Sequence, residues 1–263
     1  MDPLFDQARS APSETLTRRL SRAAVPYLEG ALANPALTPG HIALVLRNPS
    51  ATAAIIQKIG RDPDWRKAYD VRAAIVLHPR TPRALAMNLV SFLWWRDLVR
   101  VVDHPLLPPP LRRMAERLIS AHLQEMALGQ RISLARLASR GVIGGLRRDE
   151  SPMVIRALLQ NPRFIEEDAV AIARHAATSP AILRVVSEEA RWSYRPAVRK
   201  AIARNPATPS PVALRLIQRL GRNDLRELAR SPRVPGLVRV AAQRLLEKGR
   251  AATADGSSDR DDR

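Results

Sequence analysis

The apolar positions of the chain recur with helical rather than strand spacing. In 209–220, PSPVALRLIQRL, the residues Val212, Leu216 and Leu220 fall four apart with Leu214 and Ile217 beside them, which draws one apolar stripe along a helix. In 236–247, GLVRVAAQRLLE, residues Leu237, Val240, Ala241 and Leu245 repeat the arrangement, and short stretches such as DLRELAR lie between. No segment alternates apolar and polar residues with period two, so the pattern predicts an all-α chain. Proline keeps the helices short. Asn-Pro, His-Pro or similar breaks place their second residue at 35, 49, 79 and 105, and again at 162, 176, 206 and 232.

The two sets of breaks differ by a constant 127 positions, and sliding the chain on itself by that offset needs no gap. Trp65 meets Trp192, Thr81-Pro82 meets Thr208-Pro209, and Asp97-Leu98 meets Asp224-Leu225. Between 65 and 118, 19 of 54 positions are identical to their partners, so the register is held by more than the prolines. Before Trp65 the match thins to pairs such as Asn34-Pro35 with Asn161-Pro162. Units of about 25–30 residues are the length of a helix pair in an α-solenoid. The expected organisation is an N-terminal cap segment at 1–24, a first helical-repeat half at 25–119, bridging repeats at 120–151, a second half at 152–248 and a disordered tail at 249–263. In NPATPSPVAL, from Asn205 to Leu214, the first proline ends one helix, Thr208 is expected to cap the next, and Pro209 to take its first position. HPRTPRALAM, from His78 to Met87, does the same 127 residues earlier.

Asn-Pro and then Thr-Pro ahead of an apolar helix, with a Val-Arg pair nearby, resembles the leucine-rich repeat variant and HEAT-like α-solenoids. The carriers are Asn34-Pro35 with Thr38-Pro39, His78 to Pro82, Asn205 to Pro209, and the pairs Val71-Arg72 and Val198-Arg199. The resemblance covers 25–248 and implies a right-handed superhelix that acts as a binding scaffold. Some HEAT-like members bind DNA, a class of DNA glycosylases among them. One variant-repeat type carries an iron–sulfur cluster, which a chain without cysteine cannot share.

The absence of cysteine also excludes disulfides, thiolate metal sites and cysteine nucleophiles. The five histidines show no metal-ligand spacing, GVIGG lacks the Lys-Ser/Thr of a phosphate loop, and no Ser-His-Asp set assembles, so no cofactor is expected. The start lacks the pattern of a signal peptide, and the longest apolar patch, ALAMNLVSFLWW, is shorter than the ~20 residues of a membrane span. These features predict a cytoplasmic protein without a membrane span.

Charge changes the picture. The net charge is +18, with 39 Arg against 4 Lys, and it is uneven: 1–127 hold 17 basic and 11 acidic groups, 128–250 hold 24 and 10. Features matched between the copies are read as demands of the repeat, and unmatched ones as free for function. Matched Asp97 and Asp224 read as helix caps, matched Trp65 and Trp192 as packing, and His78 and His104 as turn residues. Arg215, Arg219, Arg222, Arg226 and Arg230 recur every three or four residues, where the first copy has Asn88, Phe92, Trp95, Val99 and Asp103. Arg195, Arg199, Lys200 and Arg204 extend this candidate anion-binding strip. Conversely, Phe92, Trp94 and Trp95 form an aromatic patch, either covered by the N-terminal segment (Leu4-Phe5 or Leu16–Leu20) or open for a protein partner or self-association. The expected function is a non-catalytic scaffold for a macromolecule with an anionic surface, protein or nucleic acid. The alternative is a nucleic-acid-binding HEAT-like protein, with DNA glycosylase activity as a variant of it.

Overall fold

The computed structural model describes residues 2–258. Every regular element among them is helical, as the spacing predicts. The chain divides into two compact units, Met1–His122 and Leu123–Arg263. The first contains α1 (Pro3–Arg9), α2 (Ser13–Arg19), α3 (Val25–Ala31), α4 (Pro39–Arg47), α5 (Ala53–Arg61), α6 (Pro63–Lys67), α7 (Tyr69–Leu77), α8 (Arg83–Leu89), α9 (Trp95–Asp103) and α10 (Pro109–His122). The second contains α11 (Leu128–Leu137), α12 (Arg140–Leu146), α13 (Pro152–Leu159), α14 (Glu166–Arg174), α15 (Pro180–Glu188), α16 (Ala190–Ser193), α17 (Pro196–Arg204), α18 (Ser210–Ile217), α19 (Arg222–Arg230) and α20 (Gly236–Ser258).

The two successions correspond helix for helix. Nine of the ten starts in the second unit lie 127 residues after those in the first, and α11 starts 125 after α1. The stretch expected to bridge the halves therefore carries α11 and α12, the counterparts of α1 and α2 in the expected cap segment. The last helix runs into the stretch expected to be a tail: α20 continues through Ala251, Ala252 and Ala254, good helix formers, to Ser258, and the rest of the tail lies outside the described residues.

Within each unit the helices pack in short steps. In the first, α1 packs on α3, α2 on α4, and α4, α7 and α9 follow one another as neighbours. In the second, α11 packs on α13, α13 on α15, α14 on α17, and α19 on α20. The apolar stripes face inward: Ile42, Val45 and Leu46 on α4, Val71 and Ile75 on α7, and Leu98 and Val101 on α9 are buried. Ile217, Leu225, Leu228, Val238 and Ala242 close the end of the second unit. Gly30 lets α3 approach α1 closely, because a Cβ there would run into the Phe5 carbonyl.

Buried asparagines tie these layers together. The Asn34 amide donates to the Ala8 carbonyl at 2.8 Å and the Ala11 carbonyl at 2.9 Å, at the end of α1, while its Oδ1 accepts from the Ala36 amide. Asn161 repeats this 127 residues later, donating to Ala135 and Ala138 at 2.8 and 3.1 Å and accepting from Arg163. Asn48 joins the end of α4 to the carbonyls of Leu20 and Ala23, and Asn205 joins the end of α17 to those of Ala173 and His175. The carbonyls that end a helix have no partner within it, so a side chain from the next layer satisfies them. His78, at the position matching Asn205, keeps only half of this role. Its Nδ1 accepts from the Arg80 amide at 3.0 Å, and the Arg80 guanidinium donates to the Pro49 and Ala51 carbonyls instead. His104 likewise accepts from Leu106, so both histidines are turn residues.

Two capping expectations change. Thr208 does not cap α18: its hydroxyl donates backward to the Ile202 carbonyl at 2.6 Å, as Thr81 does to Ile75 and Thr178 to Ile172. The N-caps are Pro209 and Pro82, which carry no side-chain acceptor. Asp97 and Asp224 sit in the first turns of α9 and α19, where a carboxylate suits the positive helix end. Neither accepts from its helix's free amides. Asp97 binds Tyr69 of α7, and Asp224 binds Lys200 of α17. Thr38 and Thr52 do cap α4 and α5.

Two predictions concern this framework. Asn161→Ala leaves two helix-end carbonyls and one amide without their partner in a fully buried position. Its expected cost is about 3 kcal/mol, read as a lower denaturant midpoint, and a loss below ~1 kcal/mol would deny the asparagines their structural role. Burial, and then the neighbouring Arg80 charge, hold the His78 imidazole below its ordinary value of 6.5. A depressed folded-state pKa means that the stabilisation is intact above about 6.5 and is lost as pH falls below it. Denaturation at pH 7.5 and 5.5 should show a drop in stability that is smaller in His78→Asn; equal drops would refute the assignment.

Candidate functional site

The nine basic residues singled out in the sequence lie in different settings. Arg195 pairs with Glu166 at 3.5 Å and lies 4.9 Å from the Tyr194 ring centre. Arg199 is committed to the fold: its two terminal nitrogens donate to the Tyr194 and Arg219 carbonyls at 2.7 and 2.6 Å. Its match in the first copy, Arg72, fits such a structural role. Lys200 of α17 bridges Asp224 and Glu227 of α19, and Arg204 meets Glu227 at 2.6 Å. The hydrogen bond from Lys200 holds the Glu227 carboxyl below its usual range, and Glu227 and then Asp224 raise the Lys200 ammonium. Arg215 of α18 reaches the Ser187 hydroxyl of α15 at 3.4 Å.

Three residues converge. Arg222, Arg226 and Arg230 stand at i, i+4 and i+8 on α19 and line a cleft of about 250 Å³ against α20, with Ala229, Gln243, Leu246 and Glu247. One helical turn separates neighbours, about 6 Å along the axis. Arg226 donates to Asn223 at 2.7 Å, which steadies one edge of its guanidinium. Helix α19 therefore sorts its charge: Asp224 and Glu227 turn to α17 and are matched there, while the arginines turn to α20. Arg219 is exposed on the turn before α19. The break at Leu220-Gly221, ahead of α19, separates Arg215 and Arg219 from the three that converge.

The aromatic residues of the first unit have a different setting. Phe92 is 61% and Trp94 68% exposed, while Leu16 and Leu20 are buried, so the N-terminal segment does not cover the patch. Trp94 stacks on Tyr69, ring centres 4.1 Å apart, and its amide donates to the Tyr69 hydroxyl. Trp95 is half-buried with the Arg96 guanidinium 5.4 Å from its ring centre. Trp192 meets the packing expectation, buried edge-on to Phe164 with its indole donating to Leu159 at 2.9 Å, whereas Trp65 is only half-buried.

A second cleft, about 580 Å³, runs along α4, α7 and α9 and was not foreseen in the sequence. Tyr69, Asp97, Arg100, Asp70 and Arg47 line it. The Tyr69 hydroxyl donates to Asp97 at 2.5 Å, and Arg100 donates to the other carboxylate oxygen at 2.9 Å. No signal in the sequence pairs residues 69 and 97, because Tyr69 faces Pro196 in the other copy. Among the described residues no group of three His, Asp or Glu side chains has metal-binding geometry, and no helix is long and apolar enough to cross a membrane.

Burial, and then the hydrogen bond to Asp97, push the Tyr69 phenol up to about 12. A raised phenol pKa leaves its stabilising contribution intact below pH 10 and removes it as pH rises through 12. Ultraviolet titration should find one of the three tyrosines ionising near 12. Asp97→Asn should lower that value, and an unchanged titration would rule out the pairing. No protein-family model matches the chain, and no curated protein or solved structure is found that resembles it.

Proposed function

We propose that this protein is a non-catalytic helical-repeat scaffold that docks an anionic macromolecule on the α19 face of its second unit. The observation that carries the reading is the convergence of Arg222, Arg226 and Arg230 on one cleft, with no acidic partner for them among the described ion pairs. Arginine forks recognise carboxylates and phosphates with equal geometry. The overall charge of +18 favours encounter with such a partner. The resemblance to leucine-rich repeat variant and HEAT-like proteins, whose members act as scaffolds, points the same way. The exposed Phe92 and Trp94 offer a separate apolar contact for a protein partner or a second copy of the chain.

The glycosylase alternative draws on one observation: Asp97 lies in an open cleft beside Tyr69, on which Trp94 stacks. Against it, Tyr69 and Arg100 occupy both carboxylate oxygens of Asp97, and the cleft's arginines are balanced by Asp70 and Asp97. The scaffold reading is therefore preferred. Calorimetric titration with heparin at low salt should show binding by the full chain, weakened at least about tenfold in the Arg226→Glu/Arg230→Glu double variant. Equal binding by variant and parent would move the docking site elsewhere.

A further inference from the structure

On the basis of this docking reading, we propose that the α19–α20 cleft holds the backbone of a single-stranded nucleic acid. Three features of the cleft select this partner among anionic ones. The first is the repeat of charge. Guanidinium groups one helical turn apart present donors about every 6 Å, in a straight row that a regular chain of phosphates can follow. No acid of α19 itself interrupts the row, since Asp224 and Glu227 are held by Lys200 and Arg204 on the other side of the helix.

The second feature is the opposite wall. Gln243 and Glu247 of α20 face the arginines across the cleft. An acidic peptide would bring its carboxylates against Glu247, a like charge. A nucleotide strand is two-sided: phosphates along one edge, base edges with exocyclic amines along the other. Carboxylates accept from the cytosine amine, and glutamine pairs with adenine, so this wall suits the base side of a strand whose phosphates lie on α19. Arg226, the middle guanidinium of the row, is steadied by its bond to Asn223 within α19.

The third feature is size. A cleft of about 250 Å³ admits the edge of one strand. A duplex spreads its two backbones across a groove of about 12 Å and hides its Watson–Crick edges. No aromatic side chain lines the cleft, so phosphate contacts rather than stacking supply the affinity, and the salt dependence should be steep.

Fluorescence anisotropy of the full chain with labelled 20-nucleotide DNA and RNA strands, a 20-base-pair duplex and poly-L-glutamate, between 50 and 200 mM salt, tests the proposal. Single strands should bind more tightly than duplex or polyglutamate, with a log–log salt slope of about −2 or steeper, roughly 0.7 for each of three phosphates. The Arg222→Gln/Arg226→Gln/Arg230→Gln variant should reduce that slope by about 2 and weaken binding at least about tenfold, with its thermal melt unchanged. Arg174→Gln, on the exposed end of α14, is the control and should leave both unchanged. Strand binding that survives the triple substitution overturns the proposal, as does tighter binding of duplex or polyglutamate. Heparin binding without strand binding overturns it too, while leaving the scaffold reading intact. Failure to bind any polyanion removes both.

Discussion

Everything in this fold depends on how the last carbonyls of short helices are satisfied. Helices of seven to nine residues leave a large share of their backbone acceptors without an internal partner, and in the turns that follow the side chains of Asn34, Asn48, Asn161 and Asn205 are buried. Water cannot serve acceptors there, so side chains must. Asn34, Asn48, Asn161 and Asn205 meet the need from the layer above, each donating to two carbonyls and locking its own turn with the remaining oxygen. Thr81, Thr178 and Thr208 add a backward hydroxyl bond to the helix they follow. With both ends of the turn tied, one layer fixes the height and tilt of the next.

That framework lets the surface diverge. The matched aspartates show how far: Asp97 and Asp224 occupy equivalent places in α9 and α19, yet one holds a tyrosine and the other a lysine. In the first unit this produces a charge-balanced cleft beside stacked aromatics. In the second it draws every acid of α19 toward α17 and leaves three arginines of that helix on the cleft it forms with α20. The same backbone thus carries two chemically opposite faces, and the choice rests on residues 69 and 200 as much as on the arginines themselves.

The helix-breaking pairs, the offset of 127 and the all-α class were legible in the chain, because each depends on local chemistry that proline and apolar spacing display openly. The bonding of Asn161 was not, since its acceptors are main-chain carbonyls of Ala135 and Ala138, which carry no signature beyond small size. The kinship of α1 with α11 and α2 with α12 was hidden for a related reason. Few side chains there are shared beyond Ala8, Arg9 and Ala11 with Ala135, Arg136 and Ala138. Of the arginines that recur by spacing, Arg222, Arg226 and Arg230 line one cleft. Arg215 and Arg219 lie before the break at Leu220-Gly221 and do not line that cleft. Arg199, matched by Arg72 in the first copy, is held by main-chain carbonyls and belongs to the fold.

The asparagine bonds also bear on how the chain folds. Each closes a segment of only 23 to 32 residues, so no step in building a unit has to bring distant parts of the sequence together. Loop closure on that scale is entropically mild, and contacts this local favour rapid formation. A newly made layer can settle on the one before it as soon as its own turn emerges, with the asparagine acting as the latch that makes the addition hold.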